Sequence, residues 1–138
     1  MIKSINHITF SVSNLENSIY FYETILEGKL LMKGHSSAYL EIGGVWIALN
    51  LEMNVERSKI NPTYTHIAFT IDNKDFKYWN EKLESENINI LKGRERNKRD
   101  LPSIYFTDPD GHILELHTGN LEKRLDYYKS EKPHIKIY

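Results

Sequence analysis

The chain has 138 residues, 18 Lys+Arg against 19 Asp+Glu, 40% hydrophobic residues and no cysteine. That length suits one ordinary domain, and a net charge of −1 lacks the basic excess of a general nucleic-acid binder. No segment offers the roughly 18 uninterrupted apolar residues of a membrane span and no signal-peptide pattern follows Lys3, which predicts a soluble, cytoplasmic protein.

The first predicted element is Asn6-His7-Ile8-Thr9-Phe10-Ser11-Val12, whose period-two alternation describes a strand with one buried face. Ser13-Asn14-Leu15-Glu16 then has capping-box form, and Leu15, Ile19, Tyr22 and Leu26 recur at helical spacing. Residues 39–42 and 45–50, joined by Gly43-Gly44, read as a hairpin. The polar stretch 52–62 reads as a linker. The strand pattern then returns 59 residues after its first copy, as Thr65-His66-Ile67-Ala68-Phe69-Thr70-Ile71.

A second helix follows, capped by Asp72 or Asn73 and carrying Phe76, Trp79 and Leu83 on its stripe. Residues 103–107 and 112–118 flank Asp108-Pro109-Asp110-Gly111, a sequence with strong turn chemistry. A last helix, about 121–129, is capped by Asn120, carries Leu121, Leu125 and Tyr128 as its apolar stripe and stops before Pro133. Each half is therefore β-α-β-β-β, in an α+β fold. The expected organisation is one domain, with module 1 at about 4–51, module 2 at about 63–118, and a C-terminal helix and tail at 119–138.

Strand parity separates two faces. Ile8, Phe10, Val12, Val45, Ile47, Leu49, Ile67, Phe69, Ile71, Leu114 and Leu116 form an aliphatic face suited to a core. The opposite face carries His7, Thr9, Tyr39, Trp46, Asn50, Tyr64, His66, Tyr105 and Glu115, a composition suited to a small-molecule cavity. His7 and His66 occupy the same place in the two repeats. With Glu115 they make two imidazoles and a carboxylate, a divalent-metal constellation, although a single strand histidine is more commonly a hydrogen-bonded structural residue. Alignment of the hairpins on Gly44 and Gly111 sets Ala48 opposite Glu115. His117 shares the face of Glu115, His112 beside the turn is expected in solvent, and His35 and His134 lie in polar contexts.

Lys92, Arg94, Arg96, Lys98 and Arg99 crowd the segment before the second hairpin, most simply as a solvated loop. Arg124 falls on the apolar stripe of the last helix. A partly buried guanidinium there calls for an anion, either a ligand or an internal carboxylate.

The paired modules resemble the vicinal oxygen chelate (glyoxalase/bleomycin-resistance) superfamily. More closely, the chain resembles the FosB-type fosfomycin-resistance metallothiol transferases. The matching stretches are Ile5-Asn6-His7-Ile8, Tyr64-Thr65-His66-Ile67-Ala68-Phe69, Leu91-Lys92-Gly93-Arg94 and Ser103 through His112. Leu114-Glu115-Leu116-His117-Thr118-Gly119 and Arg124-Leu125-Asp126-Tyr127-Tyr128 continue them. Asp-Pro-Asp-Gly alone marks only the superfamily, whereas the combination over almost the whole chain is specific.

The resemblance implies a half-open barrel and a divalent metal, Mg²⁺ or Mn²⁺, held by His7, His66 and Glu115. It implies an activity too: opening of the fosfomycin epoxide by bacillithiol or, less effectively, L-cysteine. Phosphonate and cavity positions fall on Tyr39, Trp46, Asn50, Tyr64, Arg94, Tyr105 and Arg124. Thr9 and Tyr39 would lie near the oxirane or thiol, and Glu115 would join them as a catalytic residue. The family forms homodimers with sites shared between chains, and it commonly carries Cys where this chain has Thr9. Two rival readings remain at this level, an Fe(II) extradiol-type dioxygenase and a non-catalytic drug-sequestering protein of the bleomycin-resistance kind.

Overall fold

The computed structural model describes residues 1–59, 63–93 and 100–138. These fall into two compact units, one of residues 1–65 and 107–113, the other of residues 66–106 and 114–138. Each unit is built on a four-stranded sheet with helices, as the α+β reading predicts.

In the first unit, β1 (His7–Val12), β2 (Lys29–Lys33), β3 (Ser37–Ile42) and β4 (Val45–Leu51) form a sheet of order β1-β4-β3-β2. β1 runs parallel to β4, and the other neighbours are antiparallel. Gly43 and Gly44 both take positive φ, +58° and +79°, the backbone that a two-residue hairpin turn requires. Phe10, Val12, Leu40, Ile47 and Leu49 are buried, as strand parity predicts. Each such side chain contributes about 1.5–3 kcal/mol on leaving water.

The first helix departs from expectation in two ways. Its N-cap is Asn14, whose side chain accepts from the Asn17 backbone N–H, one residue beyond the Ser13 of the capping-box reading. Its α-helical part, α1 (Leu15–Ile19), continues as a π-helical segment, Tyr20–Ile25. There the Leu26 N–H bonds the Phe21 carbonyl, five residues back. The wider turn buries Phe21 and Ile25 beside Tyr22 and Leu26, more than a narrow α-helical stripe would cover.

Tyr22 gains a polar partner from that placement. Its hydroxyl donates to Asp108 Oδ2 at 2.9 Å in the buried interior of the first unit. Asp108 Oδ1 accepts the backbone N–H groups of Asp110 and His112 at 3.0 and 2.8 Å, and His112 Nδ1 lies 2.8 Å from Oδ2. His112 also packs at 5.0 Å against the Phe10 ring, so it is a half-buried member of this network and not the solvent-facing residue expected.

Asp110 accepts the Ser13 backbone N–H and meets Arg57 Nε at 3.5 Å. Arg57, on a 3₁₀ turn (Arg57–Lys59), donates in addition to Ser11 O, Ser11 Oγ and Glu52 O. Part of the polar stretch read as a linker is thus a built anchor.

The second unit holds β5 (Ile67–Thr70), β6 (Ile90–Leu91), β7 (Ser103–Thr107) and β8 (Ile113–His117), in sheet order β5-β8-β7-β6. A 3₁₀ turn, Asn73–Asp75, leads into α2 (Phe76–Ser85), which buries Leu83. Ile104, Phe106, Leu114 and Leu116 are also buried. α3 (Leu121–Glu131) starts at Asn120, whose side chain accepts from the Lys123 N–H as predicted. The expected stripe is corrected there: Leu121 is 72% exposed and Tyr127 is the buried residue. Arg124, Leu125 and Tyr128 are half-buried beside Tyr127.

The Tyr22–Asp108 bond sets a stability test. Tyr22→Phe leaves a buried carboxylate oxygen short of a donor and should cost about 1–3 kcal/mol in urea unfolding. Burial, then the field and hydrogen bond of Asp108, hold the Tyr22 proton on well above the ordinary value of 10.0. Neutral Tyr22 therefore stabilises the fold fully below that ordinary value, and the contribution fades as pH climbs toward the raised one. The gap between wild type and Tyr22→Phe should accordingly narrow under strongly alkaline conditions.

Candidate active site

In the first unit, backbone pairing arranges the polar face in three rows. His7 pairs with Trp46, Thr9 with Ala48 and Ser11 with Asn50, and these pair onward with Glu41, Tyr39 and Ser37. The His7 ring lies 4.7 Å from that of Trp46, and Tyr39 meets Trp46 edge-on at 5.0 Å. Trp46 Nε1 is buried and finds no acceptor among the described residues. His7 Nδ1 is 2.7 Å from Asn6 Oδ1. An amide oxygen only accepts, so Nδ1 carries the proton in the neutral ring and Nε2 keeps its lone pair. His7 and Asn50 are exposed on this face.

In the second unit the parallel β5–β8 pair sets Ala68 beside Glu115 and Thr70 beside His117. Thr9 and Ala68 are repeat equivalents, so Ala48 and Glu115 occupy corresponding places, as the hairpin alignment predicts. Glu115 is buried at 5% exposure, and its Oε2 stands 3.0 Å from His66 Nε2. Tyr105, also buried, meets the His66 ring edge-on at 5.3 Å.

The other carboxylate oxygen of Glu115 faces His117 Nδ1 at 3.8 Å, and that nitrogen pairs with Ser103 Oγ at 2.7 Å. Gly119 makes room for this ring, because a Cβ there would lie 2.5 Å from His117 Nε2. His117 is therefore a packed residue behind the carboxylate.

Arg124 projects from α3 with its Nη1 3.4 Å from Asp100 Oδ1 and its guanidinium 6.0 Å over the Tyr128 ring. The Tyr128 hydrogen bond raises its proton affinity. Burial opposes that, and the charges of Asp100, Tyr128 and Glu115 reinforce it. The internal-carboxylate reading of Arg124 thus has a partner, Asp100, at the end of the basic run and passed over in the sequence. Arg94 lies outside the described residues. Tyr64 precedes β5 and is 65% exposed.

His66 and Glu115 thus come together in the second unit, whereas His7 belongs to the first. Among the described residues, no group of three or more His, Asp and Glu is gathered as a metal-holding cluster. The donor set nevertheless suits a hard divalent ion. Two donors bound cis in an octahedron with bonds of about 2.1 Å stand about 3.0 Å apart. That is the His66–Glu115 separation.

Residues 4–116 match the Glyoxalase/Bleomycin resistance protein/Dioxygenase superfamily. A metallothiol transferase FosB of Staphylococcus epidermidis is 58% identical over 138 residues, covering 100% of this chain and 99% of the relative. Among solved structures, the fosfomycin resistance protein FosX of Listeria monocytogenes, complexed with Mn(II) and sulfate, superposes with a TM-score of 0.84. It is 30% identical, over 93% of this chain and 99% of that one. A Glu-to-Gln mutant of the same Listeria protein, complexed with Mn(II) and 1S,2S-dihydroxypropylphosphonic acid, gives a TM-score of 0.83. It is 31% identical, over 93% of this chain and 99% of that one.

The close approach at Gly119 is testable. Gly119→Ala should push the His117 ring from Ser103 and lower stability by about 1–3 kcal/mol, the usual cost of overpacking, in thermal or urea unfolding. Ser103→Ala, which removes the same hydrogen bond without the clash, should cost less.

Proposed function

Because the chain belongs to the Glyoxalase/Bleomycin resistance protein/Dioxygenase superfamily and, within it, to the FosB metallothiol transferases, we propose that it inactivates fosfomycin. The thiol of bacillithiol or, less effectively, L-cysteine adds to the epoxide and confers resistance. The observation that carries this reading is His66 Nε2 standing 3.0 Å from the buried carboxylate of Glu115. His7, His66 and Glu115 would hold Mg²⁺ or Mn²⁺, two imidazoles and one carboxylate that leave positions for substrate. When bound, such a cation supplies Lewis acidity toward the epoxide oxygen.

The chain's own residues orient the reactants. Arg124, Arg94 and Tyr105 engage the phosphonate, for which a guanidinium offers a matched fork of donors. That grip turns the ring carbon toward the incoming sulfur, a contribution of positioning. Tyr39 and Thr9 share one row of the first unit's sheet, separated by Ala48, and supply hydroxyls near the oxirane or thiol. Trp46, Asn50 and Tyr64 line the cavity. The sulfur forms a C–S bond as the C–O bond breaks, and the thiol proton ends on the released oxygen as a hydroxyl.

The sulfur must come from the cosubstrate, since the chain has no cysteine. Small reduced thiols abound in the cytoplasm, which is the compartment this reading assigns. It also includes a homodimer in which His7 of one chain serves with the other chain's His66 and Glu115, a point that light scattering tests for assembly.

Mass spectrometry of fosfomycin incubated with the protein, Mn²⁺ and bacillithiol should detect the thiol adduct. Unaltered drug bound stoichiometrically would instead indicate sequestration, a diol would indicate water addition, and Fe²⁺-dependent oxygen uptake a dioxygenase. Losing an outer-shell partner of a metal ligand costs about 10–100-fold, so Glu115→Gln should reduce turnover by more while circular dichroism stays unchanged. Full activity in that variant would overturn the assignment of Glu115.

A further inference from the structure

Arg124 is held from two sides. Asp100, whose side chain is 9% exposed, approaches Nη1 at 3.4 Å, and the Tyr128 ring lies 6.0 Å from the guanidinium one helical turn further on. A charge-assisted N–H···O bond ordinarily closes to about 2.7–2.9 Å. The Asp100 contact is longer, so it orients the guanidinium without claiming its whole donor edge. A small recess opens beside the pair, lined also by His117, Asn120 and Lys123. Arg124 and Lys123 bring two cationic side chains to this recess, with Asp100 on its wall and the charge of Glu115 also reaching Arg124.

We propose that Asp100 is a positioning residue for phosphonate recognition, acting through Arg124. Asp100 and Tyr128 together restrict a long side chain that would otherwise sample many rotamers. Ordering the guanidinium in advance removes an entropy cost from the binding step. The inference rests on the reading of Arg124 as a phosphonate ligand and assigns Asp100 a part in the same recognition.

The test uses the full-length, Mn²⁺-loaded protein with fosfomycin and L-cysteine. Asp100→Asn should raise KM for fosfomycin about tenfold and leave kcat and KM for the thiol within about twofold, because only the docking of the phosphonate is affected. Asp100→Glu should recover most of the loss. Calorimetric titration with fosfomycin in the absence of thiol should show the same drop in affinity, while Mn²⁺ affinity, read by electron paramagnetic resonance, stays at the wild-type value.

In an Arg124→Lys background, Asp100→Asn should add little further effect, since both changes act through one guanidinium. An unchanged fosfomycin KM in Asp100→Asn would overturn the proposal. So would an equal loss in thiol KM or Mn²⁺ affinity, or full additivity with Arg124→Lys. Should Asp100→Asn fail to fold, Asp100→Ser carries the same comparison, with Asp100→Glu again as the rescue. A wild-type protein that forms no thiol adduct would overturn the proposed function itself, whereas adduct formation with a silent Asp100→Asn would overturn only the role of Asp100.

Discussion

The carboxylate of Asp108 is the constraint on which much of the first unit turns. It is taken wholly out of water, a state that an isolated charge tolerates poorly. It is met by the Tyr22 hydroxyl, the His112 ring and two backbone N–H groups. Such a group stabilises only when its lone pairs are filled, so the π-helical segment, the tight turn 107–113 and the Phe10 ring must all be in place together. The strand that leaves this turn, β8, carries Glu115 two residues past its start. The neighbouring Asp110 repeats the arrangement more loosely, gathering Ser13 and Arg57.

Period-two structure was legible because alternation along a strand is local. His7, Thr9, Trp46, Ala48 and Glu115 fall on the faces that parity assigns, and the observed pairings bear this out row by row. Helical detail was less accessible. A stripe at positions 15, 19, 22 and 26 fits an α-helix, and nothing in that spacing announces a π turn or the burial of Phe21. In the last helix Tyr127 and Tyr128 are adjacent and alike, so only tertiary packing decides which one turns inward.

Long-range polar partners were the other blind spot. Asp108 and Asp110 read as turn residues, which they are, but their side chains also serve Tyr22 and Arg57, far away in sequence. Arg57 looked like one charge in a polar linker. Asp100 closed a run of basic residues, and its pairing with Arg124 depends on the start of α3 lying beside residue 100.

The two repeats differ at one equivalent position in particular. Ala48 and Glu115 hold equivalent places, yet one is a methyl group and the other a buried carboxylate in contact with a histidine. A net charge of −1 spread over the chain conceals the same division of labour. His7 and Glu115 lie on strands and His66 just before β5, whereas Arg124 and Lys123 sit at the start of α3.

The π-helical segment bears on how this lineage can vary. An α-helix advances about 100° per residue, so deleting one residue from positions 20–25 would restore ordinary winding and swing the Tyr22 hydroxyl away from its acceptor. An insertion would displace it the other way. Exposed positions such as Glu23 and Thr24 can exchange side chains at little cost, because they face outward from the helix. This stretch should therefore drift in composition among descendants while its length stays invariant.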